Sequence, residues 1–134
     1  MDFNPKNKNE YYEDFLKMNT RINDKTWYLY NETIVPGLKK ANHEFMENIQ
    51  RENQRYYKFS FEDSIFIKEQ TILTVLLGKY DDVVGYKDQL DFFQKLPNST
   101  ISIFSDGGHN LFIDNFNFSH TYIDNFIQRL EHEE

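Results

Sequence analysis

The strongest constraint on this chain is a short run in its second half. Thr71-Ile72-Leu73-Thr74-Val75-Leu76-Leu77 is almost continuously apolar or β-branched and ends at Gly78. Such a run suits a strand buried on both faces of a parallel sheet, not one with a wet face. Thr100–Phe104 supplies a second short strand, ending in Asp106-Gly107-Gly108. Between the two, Tyr86, Leu90 and Phe93 share one helical face, and Pro97 stops the helix. Phe118, Tyr122, Ile123, Phe126, Ile127 and Leu130 keep a helical period in the last segment. Strand, helix, strand, helix reads as a right-handed βαβ unit plus one more helix, an α/β arrangement with parallel strands. Two strands alone leave open edges, so further strands must come from elsewhere.

The first half has a different character. Tyr11, Tyr12, Phe15, Leu16 and Met18 predict one helix, ended before Asn23-Asp24. Thr26 is placed to cap a second around Trp27 to Tyr30. Ile34, Leu38, Ala41, Phe45 and Ile49 mark a single amphipathic helix with Pro36 in its first turn. On these grounds residues 1–60 form a helical segment and residues 61–134 a β-α-β-α part, with the boundary near Ser60 to Lys68.

Composition narrows the function classes. At 134 residues the chain is one domain by length, and its 39% hydrophobic content suffices for a packed core. Fifteen basic against 22 acidic side chains give a net charge of -7, which repels a phosphate backbone and argues against nucleic acid as a partner. The charge is uneven: Met1 to Ile67 carry 10 basic and 11 acidic groups, Lys68 to Glu134 carry 5 and 11. No apolar run approaches the roughly 18 residues of a membrane span, and Met1-Asp2-Phe3-Asn4-Pro5-Lys6 is no signal peptide. A soluble, cytoplasmic protein without membrane partners is the expectation. With no cysteine, disulfides, thiolate nucleophiles and zinc-thiolate sites are excluded.

Motifs for metals and cofactors fail in turn. His43-Glu44-Phe45-Met46-Glu47 begins like a zinc-protease helix, but Glu47 stands where the second imidazole is required. Gly107-Gly108 follows a strand without the further glycine or lysine of a phosphate loop. No metal and no cofactor is expected.

One constellation remains, at the C-terminal ends of the two strands, where open parallel sheets gather their chemistry. Gly78-Lys79-Tyr80-Asp81-Asp82-Val83-Val84-Gly85 follows the first strand and Asp106-Gly107-Gly108-His109-Asn110-Leu111 the second. A carboxylate on one such loop can hold the imidazole on the next and stabilise its protonated form during general-base catalysis. Taken singly, His109 also fits a loop histidine bonded to backbone, and Asp81 or Asp82 a turn or capping carboxylate.

With those residues in place, the sequence resembles the C-terminal part of the α/β-hydrolase family. Leu76 to Tyr86 resembles the strand and loop that deliver the family's triad acid, and Gly107 to Asp114 the Gly-His loop that delivers its base. The resemblance implies Asp81 as acid and His109 as base, with Asp82 the second choice for the acid, and a contact of about 2.6 to 3.2 Å between Asp81 and His109. Asn31 to Ile49 resembles part of the family's helical cap. Many members carry Pro where Gly85 stands.

The family's nucleophile is a Ser in a Gly-x-Ser-x-Gly elbow, earlier in the chain than acid and base. None of Ser60, Ser64, Ser99, Ser102, Ser105 and Ser119 has that context. The expectation is a partial α/β-hydrolase fold, cap plus C-terminal half, with two functional readings. In one, the chain supplies acid and base to a serine hydrolase of esters or related acyl or carbon-carbon bonds, is inactive alone, and meets a small-molecule substrate only with a separately encoded N-terminal half. In the other, it is a non-catalytic α/β module that self-associates. The expected partner is a second copy, in a homodimer built through strands or exchanged helices, or that separately encoded N-terminal half.

Overall fold

A computed structural model describes residues 3–51, 67–68 and 70–132. The elements run α1 (Tyr12–Met18), α2 (Asp24–Thr33), α3 (Val35–Lys40), α4 (His43–Arg51), β1 (Leu73–Gly78), α5 (Tyr86–Phe93), β2 (Ser99–Phe104), α6 (Leu111–Asp114) and α7 (Phe116–His132). The expected boundary at residues 60 and 61 lies outside the described residues.

The N-terminal helices form where local chemistry starts and stops them. Asn23 caps α2: its side chain accepts from the Thr26 N–H, and the Thr26 hydroxyl accepts from the Asn23 N–H, a reciprocal capping box. Thr26 is thus the third residue of the helix and not its cap. The amphipathic stretch after Ile34 is two helices, not one. Ala41 turns to extended backbone at the end of α3, and the Asn42 side chain then accepts from the Phe45 N–H at 3.0 Å to start α4. A short polar side chain that bonds its own downstream backbone interrupts a helix even where the apolar period continues.

The aromatic residues of this part make the main core. Tyr12, Phe15, Trp27, Tyr30 and Val35 are buried with Ile113 of α6. Phe15 meets Trp27 edge-on at 5.1 Å between centroids and Tyr30 at 5.4 Å, geometries that suit the ring quadrupoles. The polar ends of these rings are satisfied. Trp27 Nε1 donates to Asn7 Oδ1 at 3.0 Å, and the Tyr30 hydroxyl donates to Asp14. Burial and that carboxylate hold the Tyr30 phenol well above its ordinary range. Because Ile113 belongs to this cluster, the helical part and the segment after β2 share one core.

β1 and β2 pair in parallel with Leu73 opposite Ser99 and Gly78 opposite Phe104. The pairing order and the crossover through α5 are as the apolar runs predict. The burial is not: Leu77 and Gly78 are buried, whereas Leu73 to Leu76 are only half covered. Among the described residues β1 has β2 as its one strand neighbour, and its first four positions are less covered than the two-sided burial expected of a central strand. Among the described residues no helix is long and apolar enough to cross a membrane.

Candidate active site

The register brings the ends of the two strands level, so the loops that leave them run side by side. Lys79 N–H donates to Phe104 O at 3.0 Å and Tyr80 N–H to Gly107 O at 2.9 Å, carrying the ladder past the strands. Glycine is required at this crossing. A Cβ on Gly78 would lie 2.4 Å from the Gly108 carbonyl oxygen and 2.8 Å from that of Gly107, closer than any side chain tolerates.

Beyond Gly78 the chain turns, and Asp81 folds its carboxylate back over the turn. Its Oδ1 accepts from Val83 N–H at 3.0 Å and Val84 N–H at 3.1 Å, the self-bonded arrangement that aspartate favours in turns. The turn ends at Gly85, whose φ of +77° lies where proline, fixed near about −65°, cannot go.

The same Oδ1 lies 3.1 Å from His109 Nδ1. Asp81 and His109 are thus brought together, while Asp82 is exposed and makes no hydrogen bond to His109. The Asp81 side chain is 13% exposed and that of His109 35%, so the carboxylate is the more deeply buried of the two. Burial pushes the Asp81 carboxyl up, but the Val84 and Val83 N–H groups and the His109 ring together outweigh it and hold the group below its ordinary value. The pair is suited to one task. An ionised carboxylate at Nδ1 selects the tautomer with hydrogen there, leaving the Nε2 lone pair free to accept a proton.

Among the described residues the His109 ring has no hydrogen bond to a serine. Ser99 donates to the carbonyls of Phe93 and Leu96, each at 2.9 Å, and Ser119 to that of Leu111. Ser60 and Ser64 lie outside the described residues. Among the described residues no cluster of three His, Asp or Glu side chains is placed to hold a metal. A cavity of about 140 Å³ lies beside Arg21, Thr26, Asn115 and Phe118; neither Asp81 nor His109 lines it, so it is separate from this chemistry.

The sequence reading missed the anchor of the His109 loop. Asp114, at the end of the Gly107 to Asp114 run, is buried and binds Gly108, Thr20 and Arg21. Its place after Leu111-Phe112-Ile113 does not by itself mark it as buried. Arg21 also pairs with Asp106, and its guanidinium beside that carboxyl lowers the Asp106 pKa from its usual value.

No protein-family model matches the chain, and no curated protein matches it. Among solved structures, an alpha/beta superfamily hydrolase from Oenococcus oeni PSU-1 matches with a TM-score of 0.85 and 35% identity over 98% of this chain. The match covers 48% of that hydrolase, so the chain spans about half the length of its relative. At that likeness the chain carries part of the α/β-hydrolase fold.

Proposed function

We propose that this chain supplies the acid and base of a serine hydrolase acting on esters or related acyl or carbon-carbon bonds, with Asp81 as the acid and His109 as the base. The single observation that carries the reading is the 3.1 Å contact between Asp81 Oδ1 and His109 Nδ1 at the ends of adjacent parallel strands. The nucleophile comes from another polypeptide segment, which bears the Ser elbow and the oxyanion donors. In the assembled site His109 Nε2 takes the Ser hydroxyl proton as the oxygen bonds to the substrate carbonyl carbon. The proton then passes to the leaving group, and Asp81 stabilises the imidazolium between the two steps. Helices α3 and α4 belong to a cap over this site, in keeping with the exposed Phe45 and Met46 on α4, apolar groups suited to lining a substrate pocket.

The test is hydrolysis of a p-nitrophenyl ester by the chain alone and after mixing with the remaining part of the Oenococcus oeni relative. The chain alone is inactive, and the mixture turns over in a manner lost in His109→Ala. Turnover by the chain alone, sensitive to a serine-directed phosphonate and lost in His109→Ala, overturns the division of labour. A mixture that forms a complex yet stays inactive overturns the catalytic reading. That last result favours a second reading, a non-catalytic self-associating module, supported by the exposed Phe118, Ile123, Ile127 and Leu130 along α7.

A further inference from the structure

We propose that Asp114 is a positioning residue for His109, fastening the loop that bears the imidazole to the Thr20-Arg21 turn between α1 and α2. The inference rests on reading His109 as the base.

Asp114 is 2% exposed, and a buried carboxylate is costly unless its acceptor sites are filled. Here they are filled from two distant parts of the chain. Oδ2 accepts from Gly108 N–H at 3.1 Å and from Thr20 N–H at 3.0 Å; the Thr20 hydroxyl lies 3.0 Å from it and 2.5 Å from the Asp106 carbonyl oxygen, two acceptors that share its single proton. Oδ1 accepts from Arg21 N–H at 3.1 Å. Thr20 and Asp114 are 94 positions apart, so this one side chain joins the N-terminal helices to the segment after β2.

The attachment surrounds His109 on both sides. Gly108, immediately before it, is bound through Asp114, and Asn110, immediately after it, donates from its N–H to Met18 O at 3.2 Å. The fit is close: a Cβ at Gly108 would come within 3.0 Å of Asp114 Oδ2 and 3.1 Å of Thr20 Cγ2. A base must be held within fractions of an ångström to take a proton efficiently. Nothing in the two-residue spacing from Gly107 to His109 supplies such rigidity by itself. The consequence is that the His109 ring is held over Asp81 only while the N-terminal helices are docked, so the helical part controls the base.

The test uses nuclear magnetic resonance on the whole 134-residue chain, reading the His109 Nδ1–H resonance and the titration midpoint of the Asp81 carboxyl carbon, with Trp27 emission reporting the aromatic core. Asp114→Asn sets an NH₂ group against at least one of the donors that the carboxylate binds. In that variant Trp27 emission stays unchanged, the Nδ1–H resonance is lost to fast exchange, and the Asp81 midpoint moves upward. Val35→Ala lowers overall stability from within the aromatic core but leaves both site readouts in place, which a merely structural role for Asp114 would not distinguish. Should Asp114→Asn fail to fold, Thr20→Val removes the hydroxyl that joins Asp114 and the Asp106 carbonyl while keeping the Thr20 N–H bond, and gives a smaller shift in the same direction. A folded variant of this set with the His109 resonance and the Asp81 midpoint both unchanged overturns the proposal. Failure of the hydrolase reading appears separately, in the ester assay, which none of these measurements uses.

Discussion

At Gly78 two backbones approach so closely that a side chain has no room. The atoms a Cβ would meet are the carbonyl oxygens of Gly107 and Gly108, and backbone cannot swing aside as a flexible side chain can. Gly78→Ala therefore separates the two loops and costs about 1–3 kcal/mol of stability, the usual range for forcing extra volume into packed structure; denaturant midpoints measure it. Asp81 adds a pH dependence. Its folded pKa is depressed, so its contribution to stability is fully present above the unfolded value of about 3.9 and is lost as pH falls through the folded value. The acid limb of a stability profile becomes shallower in Asp81→Asn, and an unchanged limb contradicts the assigned contacts. That a carboxylate and His109 sit on adjacent strand-end loops was legible because glycines and strand runs fix where parallel strands end; the choice of Asp81 over Asp82 came from the family resemblance alone. Asp114 was not legible, because its burial depends on Thr20 and Arg21, whose approach no local pattern encodes.

At the scale of the element, capping chemistry decides what periodicity cannot. The apolar positions from Ile34 to Ile49 continue without a break, yet Asn42 divides them, since a side chain that bonds the Phe45 N–H opens a new helix whatever the period says. The same competition moved the start of α2 from Thr26 to Asn23. Asn23→Ala removes one arm of the capping box and lowers stability by about 1 kcal/mol, within the usual range for cap removal. Asn23→Asp retains most of it, and thermal melts of the two variants read the difference. Strands were easier to read than helix limits, since the β1 and β2 runs have turn or glycine boundaries, but the register that sets Leu73 opposite Ser99 was not read from them.

Over the whole molecule, the described core lies among the helices and the sheet is thinly covered. Ile103 on β2 and Phe118, Ile123, Ile127 and Leu130 on α7 are exposed, and β1 has one strand neighbour among the described residues. Burial of β1 was overread from its sequence because an apolar run states what a strand requires, not what is present to meet it. Apolar surface and an open strand edge favour pairing with another chain. In the absence of a nucleophile-bearing segment we expect a homodimer, the simplest closed assembly, and sedimentation of the folded chain at micromolar concentration gives twice the single-chain mass. A single-chain mass under those conditions contradicts this.

The most direct test of the central claim, that Asp81 and His109 activate a serine carried by another segment, is the rate at which a serine-directed phosphonate labels the mixture of this chain with the remaining part of its Oenococcus oeni relative. The account predicts labelling on that second segment, slowed roughly 10⁴-fold or more by either Asp81→Asn or His109→Ala, the scale seen when a triad member is removed. Labelling at the same rate with His109→Ala, in a complex that still forms, would contradict it.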